Sequence, residues 1–506
     1  MLRNNSFVLI LSVYIFTCSV ALAQNDADVL RYSTINWGST ARSLGMGNAF
    51  GALGADPSVM ATNPGGLGFY RRSEFTFSPA FQLRNTSSEF QGGTIDKNNF
   101  KFNFGNLAFV WAFPQSNEKS DWRGWTLGLG YNKLNDFNSK GYAEGKNTRS
   151  SLIDSWVNDA NGTLQEELVN NFPFDAGLGW DAYLFDPDTT TGMANQYISG
   201  IPNGGAIQRR TFESKGGMGE FDISLATNYM DKIYFGGSIG IVNVKYHEDQ
   251  TWEETDEENT IRSPFAIDSL NFKSYNFTQS LKTEGSGFNL KFGIVVKPAD
   301  FVRIGLAIHT PTFLQLTDDF KTSVHSEFEG GFSKDIASPD FIPFEYNITT
   351  PFRAIGSLGF VLGKSGLIGL EYEFVDYSSG DISPSDKNFE SDFVAVNKSI
   401  QNKYTAAHNF RLGGEIRYNQ LRFRLGGGYS GTPFASNINT SSDTDLSRYN
   451  INGGIGFREK NFYFDTGYSF TQTGSYSGIY QTGNDVTGIN LNTRDHRLMF
   501  TFGWSF

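Results

Sequence analysis

Fourteen stretches of this chain alternate bulky apolar residues with small or polar ones, and the last stretch ends at the final residue. There, every second residue from Leu498 to Phe506 is apolar, whereas Met499, Thr501, Gly503 and Ser505 lie between them. A repeat of two places the bulky set on one face of a β-strand. That face is too aromatic to lie in water. The pattern therefore predicts an all-β fold, a fourteen-stranded antiparallel transmembrane β-barrel.

The first strand is predicted near Glu74, and the links between strands are alternately short and long. Asn419-Gln420 and Glu459-Lys460 are two of the tight turns. Outer-membrane barrels have short periplasmic turns and longer extracellular loops, so both chain ends are predicted on the periplasmic side. The other strands are predicted near 100–113, 123–137, 215–229, 232–246, 275–297, 300–315, 349–363, 366–378, 404–418, 420–432, 446–458, 460–472 and 492–506.

The long links are predicted as extracellular loops, and the longest spans residues 138–214. Leu152, Ile153 and Trp156 recur there at helical spacing. A short helix and a surface loop that packs on itself both fit this spacing. The acidic segment 247–259 is typical of a solvated loop tip, and a contact with a divalent cation or lipopolysaccharide is the alternative. The other long links are 85–99, 247–274, 316–348, 379–403, 433–445 and 473–491.

Composition narrows the function classes. The net charge of −12 argues against a nucleic-acid partner, which would need a basic surface. Cys18 is the only cysteine, so the mature chain is predicted to lack a disulfide and a cysteine-ligated metal. Beyond the N-terminus no apolar run is long enough for a membrane helix. No cofactor is expected.

Residues 1–23 have the pattern of a secretory signal peptide. Arg3 supplies the positive charge, the apolar core follows, and Ala21-Leu22-Ala23 fits a cleavage site. A membrane anchor is disfavoured because the apolar stretch is too short. The mature chain then divides into an N-terminal segment, residues 24–72, and the barrel, residues 73–506. A secreted barrel of this kind is expected in the bacterial outer membrane.

The turn at Asn419-Gln420 predicts a strand register. It pairs Glu415 with Arg424 on one face and Ile416 with Phe423 on the other. Arginine or lysine facing lipid at mid-membrane costs ~2–4 kcal/mol, so the charged face is predicted to line the lumen. By the same rule other charged residues point inward: Arg303, Glu371, Glu373, Arg411, Asp465 and Arg497.

These lumen charges have two possible roles. They neutralise one another and anchor the N-terminal segment, or an unpaired arginine such as Arg411 binds a ligand carboxylate.

The segment 24–72 is predicted to fold back into the lumen as a plug, because a barrel this wide leaves a hole that wall side chains cannot fill. It is rich in glycine and alanine and ends near the turn Asn63-Pro64-Gly65-Gly66-Leu67. Pro64 keeps Asn63 out of the helical region, and the two glycines can adopt angles that other residues avoid. The turn is either a gating element or a static part of the plug.

The plug segment resembles the hatch of the FadL/TodX family of outer-membrane transporters of hydrophobic compounds. The family motif Asn-Pro-Ala-Gly is replaced here by Asn63-Pro64-Gly65-Gly66, which suggests a looser loop. The likeness extends over most of the barrel but not over the loops. It rests on Ser43–Gly68, Gly287–Asn289, Val302–Thr312, Pro351–Arg353, Glu371–Tyr377 and His408–Glu415.

The resemblance implies passive uptake of long-chain fatty acids or aromatic hydrocarbons through a plugged barrel, often with exit sideways through a kink in the wall. Phe50, Leu53, Phe69 and Arg411 are then candidates for the ligand path. The implied partners are the hydrophobic ligand, outer-membrane lipids and lipopolysaccharide, and the barrel-assembly machinery, which would bind the C-terminal strand ending in Phe506.

Other functions are weighed against transport. Some relatives are labelled hemin receptors, and others are accessory barrels of a type IX secretion system. An enzyme is not expected, because the five histidines are scattered and none lies in a hydrolase or metal-binding motif. They are His247, His309, His325, His408 and His496.

Overall fold

The computed structural model describes residues 26–37, 39–115, 120–201, 204–262, 271–340, 342–435, 447–483 and 485–506. The predicted signal peptide, residues 1–23, lies outside the described residues, as do the first two residues of the predicted plug segment and most of the link 433–445. The described chain forms a closed barrel of fourteen antiparallel strands, with the N-terminal segment inside it.

The barrel closes where its first strand pairs with its last, Glu74 opposite Ser505. The strands are β1 (Glu74–Phe90), β2 (Gly93–Pro114), β3 (Trp122–Asp136), β4 (Ser139–Lys146), β5 (Phe185–Pro187), β6 (Tyr197–Ser199), β7 (Ile207–Tyr229), β8 (Ile233–Thr255), β9 (Phe272–Ala299), β10 (Val302–His309), β11 (Phe313–Phe328), β12 (Ser333–Ala337), β13 (Phe344–Thr349), β14 (Arg353–Leu362), β15 (Gly366–Asp376), β16 (Asp381–Pro384), β17 (Ala406–Tyr418), β18 (Leu421–Ser430), β19 (Arg448–Glu459), β20 (Phe462–Thr482) and β21 (Asp485–Ser505).

Two wall strands are interrupted at similar heights by a proline. β10 and β11 are one wall strand broken around Pro311, and β13 and β14 are its neighbour broken around Pro351. Proline cannot donate to the ladder, so such breaks are expected at both positions. Twelve further strands complete the wall: β1, β2, β3, β7, β8, β9, β15, β17, β18, β19, β20 and β21.

All fourteen predicted strands are present, but several extend beyond their predicted ends. The predicted loops 85–99 and 473–491 are instead the outer halves of hairpins, with ladders that run to Phe90 opposite Gly93 and to Thr482 opposite Asp485. Above the membrane both strand faces meet water or other loops. The apolar alternation used for the prediction is therefore lost there, although the ladder continues.

The outer surface of the barrel carries the apolar face of each strand. Ile416 and Leu425 are 68% and 70% exposed, whereas Glu415 and Arg424 are buried on the inner side. The predicted register at Asn419-Gln420 is confirmed, with Ile416 opposite Phe423 and Glu415 opposite Arg424. None of the helices that the structure describes is long and apolar enough to span a membrane.

The loop 138–214 contains helices that pack into an apolar cap over the outer mouth. Ile153 and Trp156 are buried there with Leu168, and they contact strand residues such as Phe277. Both interpretations of the loop therefore hold in part, since it is helical and packs on itself. The helices are α1 (Asp26–Ser33), α2 (Ala41–Gly45), α3 (Val59–Thr62), α4 (Leu152–Ala160), α5 (Gln165–Asn171), α6 (Ala176–Asp181) and α7 (Glu390–Lys403).

Candidate functional site

The N-terminal segment crosses the lumen from the extracellular side to the periplasmic side. The prediction that both chain ends are periplasmic is therefore wrong for the N-terminal end of the described chain, because Asp26 lies on the extracellular side. At its outer end, Asp26 accepts a hydrogen bond from Ser399 (2.7 Å) and pairs with Lys403, both on α7 of an extracellular loop. At its inner end, Tyr70 donates to Glu74 (3.1 Å), the first residue of β1. The sequence did not predict α7, which holds the outer end of the plug.

The turn at Asn63 lies against a groove of glycines in the wall. Gly236 and Gly293 face each other on β8 and β9. A Cβ atom at Gly293 would lie 2.0 Å from Asn63 Oδ1, and one at Gly236 would lie 2.3 Å from the carbonyl carbon of Pro64. The wall is therefore bare of side chains at the place where the turn touches it.

The turn itself is a 3₁₀ helix, Pro64–Phe69, that Asn63 caps. Asn63 has extended backbone angles, as its position before proline predicts, and its Oδ1 accepts from the Gly65 amide (3.1 Å). Its Nδ2 donates to Ile294 O (3.3 Å) in the wall. The expectation that Gly65 and Gly66 adopt unusual backbone angles is wrong, because neither has a positive φ.

Close packing explains both glycines. A Cβ at Gly65 would lie 2.9 Å from Gly293 O in the wall, and one at Gly66 would lie 3.1 Å from Val59 within the plug. Leu67, the last residue of the motif, is fully buried.

Wall charges hold the plug through its backbone. Glu371 accepts from the amide of Gly51 (2.9 Å), and Arg303 donates to the carbonyl of Leu53. His309 hydrogen-bonds to the carbonyl of Thr62 (2.7 Å). Backbone groups that the plug buries away from its own helices thus find partners in the barrel, as buried polar groups must.

Arg411 is not the free cation that the sequence suggested. It pairs with Glu371 (2.5 Å) and with Glu373, both on the adjacent strand β15. The sequence could not identify Glu371 and Glu373 as the partners of Arg411, because a long extracellular connection separates β15 from β17 and leaves their register undetermined. Arg411 still lines the lumen cavity described below.

Glu415 and Arg424 form the predicted ion pair (2.9 Å), but as part of a larger network. Glu415 also accepts from Arg42 of the plug (3.3 Å) and from Arg417 (3.0 Å), while Arg424 also pairs with Asp465 (2.8 Å). The network joins the plug to the wall, which agrees with the anchoring role among the two roles considered for these charges.

The three apolar candidates for the ligand path lie in the plug, away from the main cavity. Phe50 and Leu53 are buried in a cluster with Met46 and Met60. Phe69 stacks on Tyr234 with ring centroids 3.8 Å apart. They pack the plug against the wall and do not line the cavity.

A lumen cavity of about 290 Å³ lies beside the plug. Its lining mixes a plug tryptophan, asparagines and hydroxyl groups with wall arginines, so it can hold an apolar group and an anion together. Arg84 pairs with Asp495 (2.9 Å) and Arg411 with Glu371, whereas Arg448 and Arg497 have no carboxylate partner among the described residues. Arg448 donates instead to Asn36 and to Ser430 (3.3 Å). The lining includes Trp37, Asn48, Arg84, Arg411, Arg448 and Arg497.

Next to this cavity the wall ladder is interrupted. β2 pairs with β3 only from Asn106 opposite Asn132 to Pro114 opposite Gly124. Outward of Asn106, β2 pairs with β1 alone in the described ladders. Arg84, which lines the cavity, donates to the carbonyl of Asn138 (2.7 Å) just past the end of β3. The cavity and the interruption therefore share a boundary.

The outer flank of the interruption carries three phenylalanines. Phe100, Phe102 and Phe104 are 63%, 52% and 45% exposed. The sequence carried a signal of this break that the strand prediction overlooked. The outward apolar residues have even numbers up to Phe104 and odd numbers from Leu107, so the alternation slips by one between them. Such a slip marks a bulge, and the β1–β2 register shifts at that height.

Comparisons with known proteins agree with this architecture. The structure is similar to that of a Pseudomonas aeruginosa FadL homologue, with a TM-score of 0.55 and 13% identity over 94% of this chain and 99% of that one. The Pseudomonas putida toluene transporter TodX gives a TM-score of 0.51 and 11% identity over 94% of this chain and 100% of that one.

The chain has the fold of the FadL-type transporters. The resemblance seen in the hatch motif thus holds for the FadL-type fold as a whole, plug and barrel together. No family model and no curated protein matches the sequence. Among the described residues, no group of three or more His, Cys, Asp or Glu side chains is placed to hold a metal ion.

Proposed function

We propose that this protein is an outer-membrane channel for the passive uptake of hydrophobic small molecules, such as long-chain fatty acids or aromatic hydrocarbons. Residues 24–72 act as its gate, with the turn Asn63–Leu67 as the gating element. The observation that carries the proposal is the lumen cavity, which lies between a plug and an interrupted wall ladder within a FadL-type fold.

The chemistry of the cavity suits an amphipathic ligand. Burying each methylene of a ligand is worth ~0.8 kcal/mol, and ordering costs remove a large part of that gain. A cavity of modest size therefore captures dilute ligand without holding it permanently. Arg497 is the cation best placed to bind a ligand carboxylate. Arg411 remains a candidate for the ligand path because it also lines the cavity.

Uptake of a fluorescent long-chain fatty acid by producing cells tests the proposal. Cells with the wild-type protein are expected to accumulate the probe faster than cells with an empty vector, and deletion of residues 24–68 is expected to change that rate. If uptake is independent of the protein, and its loss instead blocks secretion of other proteins, the accessory-barrel alternative is favoured. Selective binding of hemin by the purified barrel would favour the receptor alternative.

We further propose that the ligand leaves sideways, between β2 and β3. A lateral exit delivers an apolar ligand into the membrane and avoids the cost of returning it to water. The missing β2–β3 ladder outward of Asn106 and the adjoining cavity support this route.

Asn103→Trp tests the route, because Asn103 faces inward beside the interruption and a tryptophan there would narrow it. Uptake is expected to fall. Phe102→Trp is the matched control, since Phe102 faces outward on the same strand and its replacement should leave uptake unchanged. Equal uptake by the wild type and Asn103→Trp would argue for a periplasmic exit.

A further inference from the structure

The lipid-facing wall has a groove on the side formed by β10, β14, β15, β17 and β18. Its volume is about 600 Å³. One row of neighbouring residues across these strands is Leu306, Gly356, Tyr372, Phe410 and Tyr429. The row towards the periplasm is Ile304, Leu358, Leu370, Leu412 and Gly427.

Two glycines form the depression. Gly356 and Gly427 occupy outward-facing positions where their neighbours along the rows carry large apolar side chains. A Cβ atom added at Gly356 would meet no other atom within 4 Å. The flanking side chains stand out from the wall, with Leu306 and Phe410 58% and 52% exposed. The groove is therefore apolar and open to the membrane.

The outer rim of the groove has a polar pair. Tyr372 hydrogen-bonds through its hydroxyl to His408 Nδ1 (2.8 Å), and the two rings stack with centroids 6.0 Å apart. His408 lies near the start of β17, at the extracellular end of that strand, whereas the tight turn after Tyr418 is periplasmic. Tyrosine and histidine in this position are suited to the level of the lipid head groups.

We propose that this groove binds one acyl chain of the acylated glycolipid of the outer leaflet, with the sugar–ester region of the lipid at Tyr372 and His408. In a membrane the surrounding lipid is as apolar as the groove, so hydrophobicity does not select the occupant. The occupant is selected by packing contacts and by the hydrogen bonds at the rim. The depression spans two outward-facing rows on five strands, and a single hydrocarbon chain can lie across it below the polar rim.

A second copy of this chain fits the groove poorly. In a twofold dimer each subunit presents the same patch, so a concave groove would face another concave groove and leave a void. The proposal needs the outer-membrane location, but it does not depend on transport.

The test is native mass spectrometry of the full-length protein, purified in mild detergent and mixed with lipid A as the probe. The wild type is expected to retain one lipid A molecule after detergent is removed in the gas phase. Gly356→Trp fills the groove without a clash and is expected to lower the retained fraction roughly tenfold.

Gly414→Trp is the matched control. Gly414 faces lipid on β17 outside the groove, and a Cβ there would lie 3.8 Å from the nearest atom, so retention is expected to match the wild type. Tyr372→Phe removes the rim hydroxyl and should weaken retention. Tyr468→Phe is its control, because Tyr468 makes the same contact with His496 (2.8 Å) outside the groove.

Three outcomes would overturn the proposal. The wild type could carry detergent alone, Gly356→Trp could retain as much lipid A as Gly414→Trp, or the wild type could be a dimer that Gly356→Trp dissociates. Heat-dependent gel mobility, which reports a folded barrel, is measured for every variant so that a folding defect is not read as lost binding.

Discussion

At the scale of single residues, the facing glycines Gly236 and Gly293 set how closely the plug approaches the wall. Gly236→Ala places a methyl group 2.3 Å from the Pro64 carbonyl carbon, so the turn must move. Overpacking of this kind costs about 1–3 kcal/mol. We expect a lower unfolding temperature, read from heat-dependent gel mobility, and a plug that protease added from the periplasmic side cleaves more readily.

The neighbouring residue provides the control for that experiment. Gly237 faces lipid, and a Cβ there would lie 3.7 Å from its nearest neighbours. Gly237→Ala should therefore leave both the unfolding temperature and protease resistance at wild-type values. If the two variants behave alike, Gly236 and Gly293 do not control how closely the plug packs against the wall.

A second prediction at this scale concerns Glu415, which accepts from Arg42, Arg417 and Arg424. Glu415→Gln leaves buried guanidinium groups short of a counter-charge, a change that typically costs about 3–5 kcal/mol. The double exchange Glu415→Arg with Arg424→Glu should not restore stability, because Arg42 would then face an arginine. Unfolding midpoints of the single and double variants test this, and full rescue would show that the other two arginines are unimportant.

At the scale of elements, the extracellular cap is predicted to be more stable in acid. Burial raises the pKa of Asp154 in α4 and of Asp175, the N-cap of α6, above the ordinary value of 3.8. Because the folded pKa is the higher one, this contribution is fully present below the unfolded pKa and is lost as pH rises through the folded pKa.

Hydrogen exchange of the α4–α6 amides measures the effect, after correction for the intrinsic pH dependence of exchange. Protection should be greater at pH 4 than at pH 7. In the variant Asp154→Asn with Asp175→Asn this difference should shrink. Protection that rises with pH in the wild type would contradict the assignment.

Strand elements differed in how much of their structure the sequence determined. The turn at Asn419-Gln420 fixed a register because only two residues separate two alternating strands, and the pairing of Glu415 with Arg424 followed. The partner strand of Arg411 is reached through a long loop, so its carboxylates could not be identified in advance. The break between β2 and β3 depends on three strands at once, and only the slip in alternation after Phe104 indicated it.

The helices show the same limit. Leu152, Ile153 and Trp156 predicted α4 by their spacing, whereas α7 was not predicted, although Phe393, Val396 and Ile400 lie at helical spacing within its polar sequence. Its stability comes from tertiary contacts, including Phe393 and Ile400 buried against the plug and the wall. Local sequence does not record contacts of that kind.

At the scale of the whole molecule, the plug and the wall together determine whether the barrel conducts ions. The described plug fills the lumen with buried residues such as Met46, Met60 and Leu67, and the cavity beside it has a volume of about 290 Å³. Ions need a continuous hydrated path, and a lumen packed in this way is not expected to provide one. We therefore expect the wild-type protein in a planar bilayer to show almost no conductance.

Removing residues 26–68 should convert the closed barrel into an open pore with stable, large conductance steps, because wall side chains alone cannot fill a barrel of this width. Gly236→Ala keeps the whole chain and provides a second test if the deletion fails to fold. It should give brief openings, and Gly237→Ala should give none. A wild-type protein that already conducts like a wide pore would mean that the plug does not seal the lumen. The gating role proposed for Asn63–Leu67 would then be wrong.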